Sequence, residues 1–330
     1  MNQSSSPSVT LIEGVNWGKL SALPAFMLAV AYGGVLASLP LLAFQDRANY
    51  LNYATDSLVL LGKNVINGPV AVLANEPVWL LVNWALGVLF TPAHAVRLLI
   101  FTSALVMAFE VLRHAPSKGW AWALPFLLMP QLLDNYTTHL REGCGLSIFL
   151  AGWFSESRYR KYLLLVLSPL VHSSYFVVLA LYLVVGVTKR LRLANDVQVA
   201  AIVTFGAAMS VGLVWLGSIL GARQASEYQY LGGATVSGLG FVFWLAVLLI
   251  FLIEGSSLVR KHALAVGALV FYLTTYFFLQ FTGRIFEAML LLVLLAGLEL
   301  TSWRKFAFVG LTISWVLFGW MVLAANPTMI

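Results

Sequence analysis

The sequence predicts an all-α, polytopic integral membrane protein with about ten to eleven transmembrane helices. Of its 330 residues, 61% are hydrophobic and 10% are charged, and the mean hydropathy is +0.89. A soluble domain carries about 25% charged residues. This number of charged residues is too small to cover a water-facing surface, so a soluble fold is excluded. Long apolar runs separated by short charged loops are what a bundle of membrane-spanning helices requires.

Ten apolar runs have spanning or near-spanning length, against roughly 20 residues for a spanning helix. They cover about residues 20–44, 94–112, 119–133, 143–155, 161–188, 197–220, 236–254, 263–282, 284–301 and 306–324. A shorter run from Pro77 to Thr91 follows Glu76. Its length predicts a short re-entrant or interfacial helix within a periplasmic loop of residues 45–93.

The distribution of Lys and Arg predicts the orientation, because these residues collect in cytoplasmic loops. Five short loops are basic: Arg113 with Lys118, Arg158 with Arg160 and Lys161, Lys189 with Arg190 and Arg192, Arg260 with Lys261, and Arg304 with Lys305. With Lys19, this threading places 13 of the 19 basic residues inside. It gives about eleven crossings, with the N-terminus inside and the C-terminus outside.

The threading requires residues 161–188 to form a hairpin of two short helices. Ser168-Pro169 lies near the middle of this run. There the proline removes a helix hydrogen bond, and the following His172, Ser173 and Ser174 can satisfy freed backbone groups. We therefore expect a broken helix pair here.

Residues 1–330 are expected to form a single transmembrane domain. Residues 1–19 would be its cytoplasmic tail, whose Ser-rich start is predicted to be disordered. This N-terminus lacks the features of a removable signal peptide, so the first span is expected to direct insertion. The net charge of +6 indicates anchoring loops rather than nucleic-acid binding. The single Cys144 cannot form an intrachain disulfide or a cysteine metal cluster.

The same threading, built from basic loops alone, delivers most other unusual polar residues to the outer side. These are Asp46, Arg47, Tyr50, Tyr53, Asp56, Lys63, Glu76, Asp134, His139, Arg141, Glu142, His172, Arg223, Glu227, Tyr228, Tyr230, Arg284 and Glu287. Ionisable groups near apolar helices are costly unless they pair or face water. We therefore treat this outer cluster as the predicted functional site.

Three arginines of the outer cluster are candidate phosphate ligands, because guanidinium groups bind phosphate oxygens bidentately and stay charged where water is scarce. These are Arg141, Arg223 and Arg284. The structural alternatives are ion pairs of Arg141 with Glu142 or Asp134, and of Arg284 with Glu287. For Arg223, the two alternatives are contact with a ligand and a charge exposed to solvent.

His172 is a candidate general base, since a neutral imidazole can take a proton from a sugar hydroxyl. The alternative is a histidine satisfied in the core. Asp46 and Tyr50 stand at i and i+4 and are expected to share a helix face or loop edge; the alternative is a solvated loop. Glu76 precedes Pro77 and alternatively only caps a short helix.

Motifs for other chemistries are absent from the sequence. It has no GxxxxGK[ST] loop, no GxGxxG after a strand, no HExxH and no GxSxG. An energy-coupling ATPase, a metalloprotease and a serine hydrolase are therefore unsupported. We expect no cofactor and no metal site, since no ligand cluster argues for one.

Four segments, taken in order, resemble the EpsG-like branch of the Wzy family of bacterial polysaccharide polymerases. They are DRANYLNY from Asp46, NEPVW from Asn75, HLREGCGLSIFLAG from His139 and SPLVHSSYFV from Ser168. The resemblance covers about residues 40–185, and the rest of the chain matches only in helix pattern. The spacing of Arg141 and Gly152 also resembles one described for Wzy proteins.

The resemblance implies a metal-independent glycosyltransferase of the GT-C type in the bacterial inner membrane, active at its periplasmic face. Its substrates would be oligosaccharide repeat units carried on undecaprenyl pyrophosphate, and the growing chain would move to a sugar hydroxyl of the next unit. A chain-length regulator and a flippase of the same pathway are expected partners, besides the lipid bilayer. By this resemblance, Arg141 and Arg284 would hold the pyrophosphate, with Arg223 as a third, and His172 would be the base.

The remaining predicted site residues would contact substrate. They are Asp46, Tyr50, Glu76, Glu227, Tyr228 and Glu287, of which Glu76 and Asp46 are also alternative carboxylate bases. Two other functions stay open. An O-antigen ligase uses the same donor with a different acceptor, and a transporter would flip a lipid-linked oligosaccharide. Transporters commonly show related halves and paired broken helices, whereas the sequence shows one break and no repeat.

Overall fold

The computed structural model describes residues 20–116, 119–219, 237–279 and 281–325, and these residues are all-α. The helices of the first half are α1 (Ala22–Ser38), α2 (Arg47–Ile66), α3 (Pro69–Ala74), α4 (Pro77–Leu89), α5 (Pro92–His114), α6 (Trp120–Leu127), α7 (Pro130–Thr137) and α8 (Leu140–Trp153). Those of the second half are α9 (Arg158–Val171), α10 (Tyr175–Arg190), α11 (Asn195–Ile219), α12 (Leu239–Glu254), α13 (Ser256–Lys261), α14 (Ala263–Thr275), α15 (Thr282–Gly297) and α16 (Ser302–Ala325).

The helices have the apolar character expected of a membrane protein. Helices α5 and α16 are long and apolar enough to cross a membrane, and α1, α4, α12 and α14 are shorter apolar helices. Large apolar side chains also point outward, including Val242 and Met321, each 63% exposed. An apolar exterior of this kind suggests a membrane protein. Each predicted apolar run contains a helix, while the number of crossings and the inner-membrane location stay predictions.

Two segments differ from the prediction: residues 119–133 form two helices instead of one, and residues 45–93 contain more helix than expected. The run at 119–133 is divided into α6 and α7, because Pro130 has no N–H to continue a helix and starts the next one instead. The expected loop at 45–93 contains α2, α3 and α4. Helix α2 was not predicted because charged and amide residues interrupt its apolar positions, but it buries Tyr50, Tyr53 and Ser57 on one face.

The predicted hairpin is present as α9 and α10, but its break is at His172 rather than at Pro169. Pro169 lies inside α9, and His172 has extended backbone angles (φ −146°, ψ 123°). The proline lacks the N–H that would bond to the carbonyl of Leu165. The Ser168 hydroxyl donates to that same oxygen at 2.8 Å, which lets α9 continue to Val171.

The polar residues and the basic loops lie at opposite ends of the bundle. Helices α1 and α5 are antiparallel, since Arg113 donates to the carbonyl of Leu20 and Arg97 to the carbonyl of Ala37. Basic loops meet at the end marked by Arg113: Lys189 donates to the carbonyl of Arg260, and Arg304 pairs with Glu254. Which end faces the periplasm stays a prediction.

Helices α8 and α15 contact each other at the end of the bundle opposite to the basic loops. Helix α8 packs against α5 and α9, and α15 packs against α14 and contacts α8 and α10. Every residue of α15 from Ala288 to Gly297 is buried. The first turns of α8 and α15 therefore meet at the end where the outer cluster was predicted.

Candidate active site

Seven ionisable side chains form a continuous chain at this end of the bundle, which we call the ion chain. In spatial order they are Arg141, Glu76, His172, Glu142, Arg284, His139 and Asp134. Except for His139 and Asp134, neighbours in the ion chain are far apart in the sequence. Acidic and basic groups largely alternate along it, so the local charge is nearly balanced.

Glu76 joins the first three members of the ion chain. Its Oε2 accepts a hydrogen bond from Nη1 of Arg141 at 2.7 Å, and its Oε1 lies 2.8 Å from Nδ1 of His172. The backbone N–H of Ser173 also donates to Oε1, at 3.3 Å. The side chains of Glu76 and His172 are only 6% and 4% exposed. A carboxylate buried to this degree needs such partners.

The backbone of Glu76 is unusual. Glu76 has φ 57°, in the left-handed region that few residues other than glycine, Asn and Asp adopt. Its side chain makes no capping hydrogen bond to α4. The reading that Glu76 only caps this helix is therefore wrong: the side chain turns to Arg141 and His172 instead. Backbone strain of this kind is concentrated at functional sites.

The second part of the ion chain is looser and more exposed. Nε2 of His172 lies 3.4 Å from Oε1 of Glu142, which lies 3.7 Å from Nη1 of Arg284. Nη2 of Arg284 lies 3.2 Å from Nε2 of His139, whose Nδ1 lies 2.8 Å from Asp134. The Arg284 side chain is 43% exposed. Burial lowers the pKa of His139, but Asp134 and Glu142 outweigh this and raise it above its ordinary value.

Four helices begin at the ion chain. Glu76 directly precedes α4, Arg141 and Glu142 are in the first turn of α8, Ser173 lies just before α10, and Arg284 is in the first turn of α15. A helix N-terminus carries a partial positive charge and unpaired N–H groups. Four such ends, together with two arginines, favour an anionic group at this place.

Arg141 borders two polar cavities along α2. The larger, of about 420 Å³, is lined by residues that include Asp46, Tyr50 and Arg141, and the smaller, of about 260 Å³, includes Lys63 and Glu76. The guanidinium carbon of Arg141 also lies 5.9 Å from the centre of the Tyr53 ring, within cation–π range.

A third cavity, near the ion chain, is an apolar groove of about 520 Å³. Three of its lining residues are close in sequence to members of the ion chain. Val78 comes two residues after Glu76, Cys144 three residues after Arg141, and Val171 directly before His172. Its lining also includes Arg160, in a loop predicted to be cytoplasmic, and Glu110, near the end of the predicted span at 94–112. Trp79 separates it from the larger cavity, with its ring centre 5.8 Å from those of Tyr50 and Tyr53.

Comparison with known protein families identifies the chain. A family model described as the EpsG family matches residues 44–329. The chain belongs to the EpsG family. This family is associated with exopolysaccharide synthesis. No curated protein and no solved structure matches the chain.

Four predicted site residues of this EpsG-family chain come together in the ion chain: Glu76, Arg141, His172 and Arg284. The structural pairings considered for the two arginines are wrong. Arg141 pairs with Glu76, not Glu142 or Asp134, and Arg284 approaches Glu142 and His139 rather than Glu287. Arg284 finds its partners on another helix because the first turns of α8 and α15 face each other, and Arg141 meets Glu76 at the start of α4.

The other predicted residues have mixed outcomes. Asp46 and Tyr50 line the same cavity, as their spacing predicts. Glu287 is half-buried on α15, close enough to Glu142 and Arg284 to interact electrostatically. Arg223, Glu227 and Tyr228 lie outside the described residues. Among the described residues, no group of three His, Cys, Asp or Glu side chains is arranged to hold a metal ion.

Three members of the ion chain belonged to the predicted outer cluster but were not assigned roles: Asp134, His139 and Glu142. Glu142 was considered only as a neutralising neighbour of Arg141, yet its side chain turns to His172 and Arg284. Adjacent residues in a helix point about 100° apart. The Arg141-Glu142 pair therefore already indicated two separate partners.

The charge on Glu76 predicts a loss of stability in acid. Burial raises the pKa of this carboxyl, but Arg141 and His172 outweigh burial and hold it well below its ordinary value. Its stabilising effect is thus present above the ordinary value of 4.5 and is lost as the pH falls toward the folded-state pKa. We expect the melting temperature to fall below that pH, and to fall less steeply in Glu76→Gln. Equal slopes in the two proteins would contradict this.

Proposed function

We propose that this EpsG-family protein is a polysaccharide polymerase that joins oligosaccharide repeat units carried on undecaprenyl pyrophosphate, at the periplasmic face of the inner membrane. The observation that carries the proposal is that two polar cavities border Arg141, while an apolar groove is lined by sequence neighbours of Glu76, Arg141 and His172. A lipid-linked saccharide combines the same three kinds of chemical group. Its sugars suit the polar cavities, its pyrophosphate suits the arginines, and its hydrocarbon chain suits the groove.

Arg284 is the proposed principal ligand of the pyrophosphate. Its side chain is 43% exposed and approaches Glu142 only to 3.7 Å, so a phosphate oxygen can replace that contact. Arg141 is held by a 2.7 Å hydrogen bond to Glu76 and is 17% exposed. It is proposed to border the sugar next to the pyrophosphate. The four helix N-termini add favourable potential for the leaving group.

His172 is proposed to be the base, oriented by Glu76. The 2.8 Å contact of Nδ1 with Glu76 favours the tautomer in which Nδ1 carries the proton. Nε2 is then the acceptor, and its 3.4 Å contact with Glu142 is long enough to open for a sugar hydroxyl. This is the arrangement in which a carboxylate orients a catalytic imidazole.

The proposed reaction is a displacement at the anomeric carbon of the growing chain. The acceptor hydroxyl oxygen forms a bond to that carbon, and its proton moves to Nε2 of His172. The bond between the anomeric carbon and the pyrophosphate oxygen breaks, and the electron pair leaves with the lipid pyrophosphate. Arg284 stabilises the charge that develops on this leaving group.

The test is to incubate the purified protein in nanodiscs with its host's undecaprenyl-pyrophosphate repeat unit and to separate the products on a gel. A ladder of increasing chain length, formed without nucleotide or another acceptor, supports the polymerase. We expect His172→Gln to slow the ladder by about 10²–10⁴-fold, the range for general acid–base catalysis. Folded protein that leaves the repeat unit unchanged contradicts the proposal. Product formed only with a lipid A core acceptor indicates a ligase.

Filling the apolar groove is expected to reduce activity without unfolding the protein. Ala151 lines the groove and is half-buried, so Ala151→Trp places an indole where the lipid chain is proposed to lie. Loss of contact with two or more CH₂ groups of the lipid predicts a rate lowered by about tenfold or more at limiting donor. The control is Leu317→Trp on the exposed surface of α16. Equal rates in the two variants would contradict a lipid chain in this groove.

A further inference from the structure

The two polar cavities share one wall and extend along the same helix. Tyr53, Leu60 and Arg141 line both cavities. Helix α2 has 20 residues and is therefore about 30 Å long. The cavities thus lie side by side along α2 and meet at Arg141, which joins them to the ion chain.

The larger cavity is rich in hydrogen-bond acceptors and is acidic. Asn49, Asn52 and Asp56 line it at intervals of three or four residues, which places them along one face of α2, and Asp46 lines it just before this helix begins. Asp46 accepts from the amide of Asn49 at 3.2 Å, and Asp56 accepts from Thr55 at 2.9 Å. A carboxylate has about four acceptor positions, so both keep capacity for a ligand. Neither makes an ion pair among the described residues.

The smaller cavity is rich in amides and is basic. Lys63, Asn64 and Asn67 line it together with Glu76. The charge of Glu76 is already compensated by Arg141 at 2.7 Å. Lys63 has no ion pair within the described ranges, so its charge determines the sign of this cavity.

Sugars match the side chains of both cavities. Carboxylates accept from sugar hydroxyls, amides donate and accept, and tyrosine offers an apolar ring beside a polar group. The opposite charges then select between sugars: two carboxylates repel a carboxylate-bearing sugar, and an unpaired lysine attracts it.

We propose that these cavities are two saccharide subsites of opposite charge, in which the smaller binds an acidic sugar and the larger binds a sugar without negative charge. This inference rests on the proposed function and names the class of its substrate. The repeat unit would accordingly contain at least one sugar with a carboxylate, such as a uronate or a carboxylated ketal. Arg141, between the subsites, would contact the sugars on both sides.

The test measures binding of two soluble probes to the full-length protein in nanodiscs by saturation-transfer NMR. The probes are methyl β-glucuronide and its neutral counterpart methyl β-glucoside. We expect Lys63→Gln to weaken glucuronide binding by about tenfold, the effect of losing one hydrogen bond to a charged group, and to leave glucoside binding unchanged. We expect Asp46→Asn with Asp56→Asn to weaken glucoside binding and to leave glucuronide binding unchanged.

Lys305→Gln is the matched control, because Lys305 lies at the start of α16 and lines neither cavity. All variants must elute as the wild-type protein does in gel filtration. Equal effects of Lys63→Gln on both probes, or no binding of either probe to folded wild-type protein, would overturn the inference. The polymerase assay separates this failure from that of the proposed function. A normal ladder made by both cavity variants overturns only the subsites, whereas charge-selective binding without any ladder overturns only the polymerase.

Discussion

Arg141→Met is expected to abolish activity and to lower the free energy of unfolding by about 3–5 kcal/mol, the cost of removing one partner of a buried ion pair. The substitution keeps most of the side-chain volume but removes the guanidinium that donates to Glu76 at 2.7 Å. Glu76, 6% exposed, would then keep its charge without its arginine partner, while His172 and the Ser173 N–H stay in contact with it. The measurements are the thermal midpoint in a fixed detergent and the ladder assay.

A second substitution separates the two effects. Glu76→Gln in the Arg141→Met background removes the uncompensated charge, while the amide oxygen can still accept from Ser173. We expect this double variant to recover most of the lost stability and none of the activity. A thermal midpoint of Arg141→Met equal to that of the wild type would contradict the buried pair. Activity in the double variant would remove Arg141 from the site.

The sequence predicted the order of helices and the two polar ends well, because both depend on local signals. Apolar runs and basic loops are continuous stretches, and the presence of a break between α9 and α10 was predicted from Ser168-Pro169. Even here the exact position was wrong, since the Ser168 hydroxyl compensates for the proline N–H. Helix α2 was missed because its burial depends on packing against α4 rather than on its own hydropathy.

The partners within the ion chain were beyond the reach of the sequence. Glu76 is 65 residues from Arg141 and 96 from His172. Local reasoning paired Arg284 with Glu287, three residues away, because such pairs are common on an isolated helix. In the protein, packing of α15 against α8 turns Arg284 toward Glu142. Residue types therefore indicated the site. Only the helix arrangement determines which side chains are held tightly by buried partners and which have longer, exposed contacts.

This division between tightly and loosely held groups supports the different roles proposed for the two arginines. Arg141 is part of the rigid end of the ion chain, where Glu76 and His172 are almost fully buried. Arg284 belongs to the looser end, where contacts are longer and water has access. A rigid base and a leaving-group ligand that can exchange its partners are what a displacement of pyrophosphate requires.

Arg284→Met is consequently expected to lower the rate of polymerisation by about 10²–10³-fold, the cost of losing one donor to a developing negative charge. Its stability should remain within about 0.5 kcal/mol of the wild type, as for most surface substitutions, because the side chain is 43% exposed and water can replace its 3.7 Å contact with Glu142 and its 3.2 Å hydrogen bond to His139. The loss should fall on kcat more than on KM for the lipid-linked donor, since the leaving group gains charge only in the transition state.

The matched control is Arg158→Met, which changes an exposed arginine at the start of α9, at the opposite end of the bundle. It should retain the wild-type rate. Arg284→Lys should recover part of the rate, because lysine keeps the charge but not the bidentate geometry. If Arg284→Met polymerised at the wild-type rate, the leaving group would have to be stabilised by Arg141 and the helix N-termini alone. In that case Arg141, rather than Arg284, would be the only arginine of the ion chain that acts on the pyrophosphate.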